Sequence, residues 1–497
     1  MARTIFFILL SLFASVALAR NANYSLTIVN ARIAPDGVDR NATLANGTYP
    51  GPLLVAQKGD TLRVKVRNEL TDPSMYRTTS IHWHGLLQHK NADDDGPAWV
   101  THCPIVPQAS YTYNIPLGNQ TGTYWYHGHL ASQYVDGLRG PLVIYPEDPH
   151  KQLYDVDDAT TVLIIGDWYH SFSRDILTSG NITREQPDSA TINGKGRFDP
   201  DNTPANPDTL YTLRVQRGKR YRLRVINSSA LAAFRVSIQG HKLTVIAADG
   251  VPTQPYEVDE FDIIAGQRID CVMEANQNPE TYWINAPLTN VANKTAQALL
   301  VYEGDAGPYR PPKGAYNRWN VTDDIINYYQ PKRGAWAING IPYRSPDIPT
   351  LLRILTDNDT VTASDFPQAS HTTLLPKDKC IELNITGNSG VNIIHPIHLH
   401  GHTFDVVQFG NNTPNYVNPP RRDVVGSTDA GVRIQFRTDN PGPWFMHCHI
   451  DWHLERGFAM IFAEAPEAIQ QGPKRVHVNN KWRELCRKYE QLPAGFQ

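Results

Sequence analysis

Beyond its first nineteen residues the chain has no apolar run long enough to cross a membrane. It has no excess of one charge either, since 46 lysines and arginines stand against 49 aspartates and glutamates for a formal net charge of -3. That balance, with a pI near 6.6, gives no electrostatic reason to bind nucleic acid or an acidic membrane surface. Long amphipathic helical patterns are few, while 37 prolines and 34 glycines punctuate short alternating segments, so two-sheet sandwiches with little helix are the expected architecture. Cysteine is scarce: five are present, an odd number, so one either pairs between molecules or serves another purpose.

The apolar run that does exist lies at the start. Arg3, the stretch from Ile5 to Val16 and Ala17-Leu18-Ala19 have the form of a secretory signal peptide over residues 1–19, cleaved after Ala19. The mature chain is therefore expected outside the cell, without a membrane anchor. Asn-X-Ser/Thr sequons at Asn23, Asn41, Asn46, Asn119, Asn181, Asn227, Asn293, Asn320, Asn358, Asn384 and Asn411 suit a secreted glycoprotein, with some of them buried or unused.

Histidine is where the sequence is rich. It forms four His-X-His pairs, His82-Trp83-His84, His127-Gly128-His129, His398-Leu399-His400 and His447-Cys448-His449. Residues two apart on a strand point to the same side, so each pair offers two imidazoles to one place. Together the eight suggest a single metal cluster. In the last pair the middle residue is a cysteine, which on an extended strand must face away from both histidines. There it can hold a second metal with His395 and His453, the Cys and two His set of a blue-copper electron-transfer site. The segment then reads as a wire that takes an electron at Cys448 and passes it out through His447 and His449. Zinc hydrolysis uses three or four ligands and leaves Cys448 unexplained. Among the other cysteines, Cys103, Cys271, Cys380 and Cys486, three full pairings are open, and Cys271 and Cys380 are equally readable as buried free thiols.

Internal repetition sets the organisation. Residues 58–66 and 217–225 alternate apolar and polar side chains, and 379–385 do so more weakly, at a spacing of roughly 160 residues. The copies also share endings: Gly122-Thr123-Tyr124-Trp125-Tyr126-His127, Glu280-Thr281-Tyr282-Trp283-Ile284-Asn285 and Gly442-Pro443-Trp444-Phe445-Met446-His447. At the ligand positions the middle copy has Asn285 and Pro287. Three β-domains are expected, 20–149, 150–318 and 319–497, with the metal cluster between the first and third and the middle one a copper-free spacer. Such an arrangement requires ring-like packing, with His82 and His398 close together. Residues 481–489 look helical and form a closing tail.

Four segments, Ile81-His82-Trp83-His84-Gly85, Trp125-Tyr126-His127-Gly128-His129, the run from His395 to His402, and the run from His447 to Phe458, resemble the signatures of fungal laccases, in the multicopper oxidase family. The resemblance covers essentially the whole mature chain. It implies an all-β fold of three cupredoxin-like Greek-key sandwiches, four copper ions, and one-electron oxidation of phenols and aromatic amines coupled to four-electron reduction of dioxygen to two waters. The implied blue-site ligands are His395, Cys448 and His453. Those of the mononuclear cluster copper are His82 and His398, and those of the coupled pair are His84, His127, His129, His400, His447 and His449. Phe458 stands at the axial position, where it cannot ligate, and loss of an axial donor favours copper(I) and so a high potential. Asp95 and Asp451 are candidate acids that orient ligands or relay protons, although Asp95-Gly96-Pro97 also has plain turn composition. A bridge between Cys103 and Cys486 is implied as well.

The chain departs from the family pattern near the substrate. Leu231 stands where many relatives have a carboxylate that accepts a phenol's proton. Val135 and Ala230 replace a disulfide between the first and second domains, and the loop 170–190, expected to line the substrate mouth, is altered. A ferrous iron oxidase of the same family is the nearest rival. It needs acidic residues beside His395 and His453, and only Asp451 and Glu455 are near in sequence. A non-enzymatic copper-binding protein is the rival from another class, and it gives no reason to join Cys448 to two cluster ligands. Small aromatic molecules and dioxygen are the expected partners of a monomer, and lignin degradation is one of several roles open to it.

Overall fold

The computed structural model describes residues 20–145, 148–304, 336–356, 361–387, 393–471 and 475–493. The signal-peptide reading and the sequons Asn320 and Asn358 lie outside the described residues. Within them, six sheets fall into three successive pairs, built from strands within 21–145, 162–303 and 372–464. Helices are short, the longest being Asn480–Glu490. This is the expected all-β architecture of three sandwiches.

Each alternating repeat is a strand. Thr61–Asn68 buries Leu62, Val64 and Val66 against Tyr111, Tyr113 and Ile115 of the sandwich core and turns its charged residues to solvent, as period-two patterning demands. Cys380–Ile385 alternates in the same way but is only half buried. The middle copy, Arg220–Asn227, differs: nearly every residue is buried. Its polar face is not solvent-exposed, because Arg222 pairs with Asp270 at 2.6 Å and Arg224 grips Asp157 through two 2.7 Å bonds. Arginine paired in this way can occupy an interior that an unpaired cation could not.

The repeated endings are also equivalent. Gly122–Gly128, Thr281–Pro287 and Gly442–Cys448 each lie between two neighbouring strands of their sheet. Interior strands are the best-fixed part of a sandwich, which suits segments that must aim side chains. One contiguous apolar cluster runs through all three sheet pairs, so they pack on one another rather than hanging on linkers. Arg139, fully buried, ties the first pair to the second by donating to the carbonyls of Ser228 and Asp167.

The closing tail is a helix capped by the Asn479 side chain, which accepts from the Trp482 N–H at 3.0 Å. Trp482 and Leu485 bury its inner face, and Cys486 bonds to Cys103 across 383 residues of sequence. Of the open pairings only this one forms. Cys271 is a buried free thiol, whereas Cys380, read as either paired or buried, is free and exposed because its side chain lies on the outer face of a half-buried strand. Replacing both Cys103 and Cys486 by Ser should cost about 2–5 kcal/mol of stability. A lowered thermal midpoint and early proteolytic loss of the tail would show it, whereas an unchanged midpoint would mean that helix packing alone holds the tail.

Candidate metal centre

Strand pairing brings the histidines together. Ile81–His84 lies antiparallel to Gly122–Gly128 with His82 directly opposite His127, and His395–Leu399 lies antiparallel to Gly442–Cys448 with His398 directly opposite His447. Each outer sandwich thus offers two His-X-His pairs from adjacent strands, and the two sets meet face to face. His82 stacks on His400 and His84 on His398, both at 3.9 Å, and the His82 and His398 ring centroids are 5.8 Å apart, as the ring-like packing requires. All eight rings are buried.

The hydrogen bonds around these rings leave nitrogens free. Nδ1 of His82 and of His398 each lie 2.8 Å from a carbonyl, those of Asp95 and Asp423, while His127 and His447 bond the carbonyls of Gly128 and Cys448 at 3.0 Å. A carbonyl only accepts, so the proton sits on Nδ1 and the Nε2 lone pair points inward. Nε2 of His82, His127, His129 and His398 is buried with no partner in the protein. Elsewhere two pairs of ring nitrogens face each other directly, His400 Nε2 to His447 Nε2 at 3.2 Å and His449 Nε2 to His84 Nδ1 at 3.3 Å. Burial, followed by repulsion from neighbouring rings, holds His84, His127, His129, His398, His400 and His449 well below the ordinary imidazole value, and burial brings His447 to about 4. Neutral imidazoles converging without hydrogen-bond partners fit a transition metal. Their donor atoms fall into the groups His84, His127 and His449; His129, His400 and His447; and His82, His84 and His398.

Cys448 faces the other way. Its Sγ lies 3.7 Å from His395 Nδ1 and 3.6 Å from His453 Nδ1, and those two nitrogens are 3.2 Å apart. The strand ends at Cys448, and the short helix Asp451–Glu455 turns His453 back beside the sulfur. Phe458 closes the loop, its N–H donating to the His453 carbonyl and its own carbonyl accepting from the Cys448 N–H, with its ring 5.1 Å from His395. One buried sulfur with two imidazole nitrogens is the blue-copper donor set, and the phenyl ring adds no donor. Trp336, which the sequence did not single out, lies 4.3 Å from His453 and stacks on Phe458 at 5.5 Å. Beside it opens a cavity of about 740 Å³ whose wall includes Trp336, Ile338, Ile385, His395 and Phe458.

The two candidate acids sit at the histidine cluster. Asp95 Oδ2 accepts from His400 Nδ1 at 2.8 Å, and Oδ1 lies 3.3 Å from His82 Nδ1. Turn chemistry is what seats it: a Cβ on Gly96, at φ +103°, would come within 1.8 Å of the Ile81 carbonyl, so only glycine lets this turn close on the His82 strand. Asp451 lines a cavity of about 10 Å³ together with His127, His129, His447, His449 and Tyr134. Its Oδ2 is buried without a partner, and burial raises the carboxyl well above its usual range.

The departures take a definite form. Leu231 is buried and does not line the cavity at His395; its N–H is one of three in succession, with Ala230 and Ala232, that donate to Asp167. Val135 and Ala230 are fully buried, so apolar packing stands where a disulfide was looked for. Residues 170–190 are not a loop over that cavity. They contain the helix Ser173–Ser179, tied to the first sandwich by Ser173 donating to Asp136, and only Glu185 reaches across to pair with Arg456. Sequence reasoning also missed Asp423 and Arg268, which carry no motif and meet the cluster wall from distant parts of the chain.

Family models described as multicopper oxidase match residues 27–149, 159–305 and 343–468. The chain is 65% identical to Laccase-3 of Thanatephorus cucumeris, with 100% of both covered, and 64% identical to Laccase-1 of the same fungus, covering 99% of this chain and 98% of that one. Among solved structures it resembles the laccase from Botrytis aclada, at TM-score 0.79 and 32% identity over 95% of this chain and 92% of that one. It also resembles Fet3p, a multicopper oxidase that functions in iron import, at TM-score 0.78 and 26% identity over 95% of each. Three matched segments, full-length kinship and two donor sets suited to copper agree: the chain belongs to the multicopper oxidase family, among the fungal laccases.

Proposed function

We propose that the protein is a secreted, glycosylated laccase with domains 20–149, 150–318 and 319–497, which binds four coppers and oxidises phenols and aromatic amines with dioxygen. One observation carries this reading. Cys448 faces His395 and His453 on one side of its strand while His447 and His449 face the histidine cluster on the other, so a single backbone joins two sites. His395, Cys448 and His453 would hold the blue copper, and His82 and His398 the mononuclear copper of the cluster. The coupled pair would take His84, His127, His129, His400, His447 and His449. When bound, these ions supply one-electron centres that store four electrons for dioxygen.

The chain's own residues do the rest. Trp336 and Phe458 give the cavity an aromatic wall on which a substrate ring can stack beside His395. His395, Cys448 and His453 would hold the copper that takes the substrate's electron, and the Cys448 backbone links that site covalently to His447 and His449 at the cluster. Burial raises the Asp451 carboxyl well above its usual range, which favours its protonated form, and its unpartnered Oδ2 borders a space the size of one water. Asp95 fixes the tautomer of His400 and so its free Nε2. The cluster is complete within one chain, which supports a monomer.

Sugar belongs on exposed sequons such as Asn23, Asn119, Asn293 and Asn411. Asn227 is excluded in the folded protein, because its buried amide donates to the carbonyls of Ala232 and Ile263. For the iron-oxidase alternative, among the described residues no acidic group joins the donor set of His395, Cys448 and His453, while Glu382 lines the cavity at His395 and Asp429 acts on that ring from further off. Glu455 lines a different cavity with His129 and Phe445, and Glu185 is paired with Arg456.

Dioxygen uptake with dimethoxyphenol, recorded with the visible spectrum, tests the reading. Wild type should show a blue band and uptake, and C448S should lose both, whereas phenol-driven uptake that survives C448S would overturn it. Phe458→Met should lower the blue-site potential in a redox titration, and an unchanged potential would remove the argument from the absent axial donor. Burial raises the Cys448 thiol above its ordinary range, lowers His395 to about 4 and holds His453 well below the usual imidazole value. At pH 7 the blue-site histidines are thus already neutral and the thiol still carries its proton. Anaerobic loading of that site with copper(I) should therefore release about one proton, all of it from Cys448. Calorimetry in buffers of differing ionisation enthalpy reads this number, and a release near three would mean that the histidines start protonated.

A further inference from the structure

The middle sandwich supplies no candidate ligand group among the described residues, yet three consecutive residues of it, Gly266, Gln267 and Arg268, reach the cluster wall. A Cβ added to Gly266 would lie 2.9 Å from the His449 ring and 3.1 Å from that of His84, so the backbone there is already packed on both. Gln267 donates to the carbonyl of Val424 at 3.1 Å. Arg268, fully buried, grips Asp423 with both prongs of its guanidinium, each at 2.6 Å, and its Nε donates to the Thr123 carbonyl of the first sandwich at 3.0 Å.

What Asp423 faces gives this grip its meaning. Its carbonyl takes the Nδ1 proton of His398 at 2.8 Å, and its carboxylate Oδ1 lies 3.5 Å from His84 Nε2. His84 turns its other nitrogen, Nδ1, toward His449. Asp423 therefore orients, through its carbonyl, one ring read as a ligand of the mononuclear copper, and sets its carboxylate against one read as a ligand of the coupled pair. The guanidinium cannot slip, since a Cβ on Gly85 would lie 2.3 Å from its Nη2. Its charge is balanced within an alternating set: Arg422 pairs with Asp249 at 2.9 Å, Asp249 accepts from the Arg268 N–H at 2.8 Å, and Arg268 holds Asp423. Two cations and two anions set side by side, all but Arg422 buried, avoid leaving any one of them uncompensated.

We propose that Arg268 is a positioning residue for the cluster, fixing His398 and His84 through its two-pronged hold on Asp423. The proposal rests on the cluster reading given above. The middle sandwich is then more than a spacer, because it sets the aim of two rings that it does not itself contain.

The test compares Arg268→Lys, which keeps the charge and loses the fork, with Arg422→Lys, which keeps the charge of the neighbouring residue and alters hydrogen bonds made to Asp249 rather than to Asp423. Copper content, copper retention against a chelator and the paramagnetic resonance signal of the mononuclear cluster copper are measured, with the blue band as internal reference. R268K should hold cluster copper on the order of 10- to 100-fold less tightly and shift the resonance signal, while the blue band stays as in wild type. R422K should move neither. Equal changes in both variants, or an unchanged signal and retention in R268K, would overturn the proposal and leave Arg268 a packing residue. Should R268K not accumulate, the isosteric Asp423→Asn is expected to shift the same signal with the blue band intact, and its failure to do so overturns the proposal equally. A wild-type protein that binds no cluster copper would instead sink the reading on which the proposal rests.

Discussion

Neutral imidazoles buried and turned toward one another are the constraint on which this molecule depends. A buried polar nitrogen with no partner costs free energy of the order of a kilocalorie or more, and this interior has several in one place. They persist because His82, His398, His127 and His447 are pinned from behind by carbonyls and His400 by the Asp95 carboxylate. Carbonyls of Asp95, Asp423, Gly128 and Cys448 take the outward Nδ1 protons, and strand backbones on both sides prevent the rings from turning outward to find water. Rigid interior strands are the element best suited to this, since register fixes position and the pleat fixes direction. The sandwich holds open a site that its side chains would relieve if they were free to move, and a cation is what satisfies it.

The strand Gly442–Cys448 carries this logic furthest. Alternation on it and on the residue that follows sends His447 and His449 to the cluster and Cys448 to His395 and His453. No long-range device is needed to couple the two sites, because they share covalent bonds. A cost follows for the sulfur: burial keeps the thiol protonated in the metal-free protein. The same burial keeps the surrounding imidazoles unprotonated. Desolvation thus acts oppositely on acid and base and leaves one proton to be displaced where the donor set is otherwise ready.

What could be read from the sequence follows from this physics. His-X-His pairs and alternating repeats are local patterns tied to period two, so His82, His127, His398 and their partners were identifiable without coordinates. Asp423, Arg268 and Trp336 were not. Arg268 and Asp423 stand 155 residues apart and meet by one ion pair, a contact that leaves no periodicity behind. Trp336 has no motif around it, and only its place against His453 and Phe458 marks it. The alternation at Arg220–Asn227 misled for a related reason: pattern alone cannot tell an arginine in water from one buried against Asp157 or Asp270. Leu231 and the helix Ser173–Ser179 show that a departure at one position is absorbed by local packing, here around Asp167 and Asp136, before it bears on the cavity at His395.

The placement of the cluster also bears on how the whole chain holds together. Its candidate ligands come from strands near residues 82–129 and 398–449, and the wall behind them from residues 266–268. No one sandwich contains the site, so metal bound there favours only the state in which all three are docked, and its binding free energy adds to that docked state by linkage. Among the described residues the middle copy forms no ligand group, with Asn285 and Pro287 where its sisters have histidines, and its Asn285 serves instead as an acceptor for Gln297. Having no ring of its own to aim, it can present flat backbone at Gly266 and a rigid cation at Arg268, two features that a ligand-bearing strand could not offer in the same space. Three copies of one sandwich therefore divide a task that two could not complete: two supply donors, and the third closes the gap between them with the one charge that fixes Asp423.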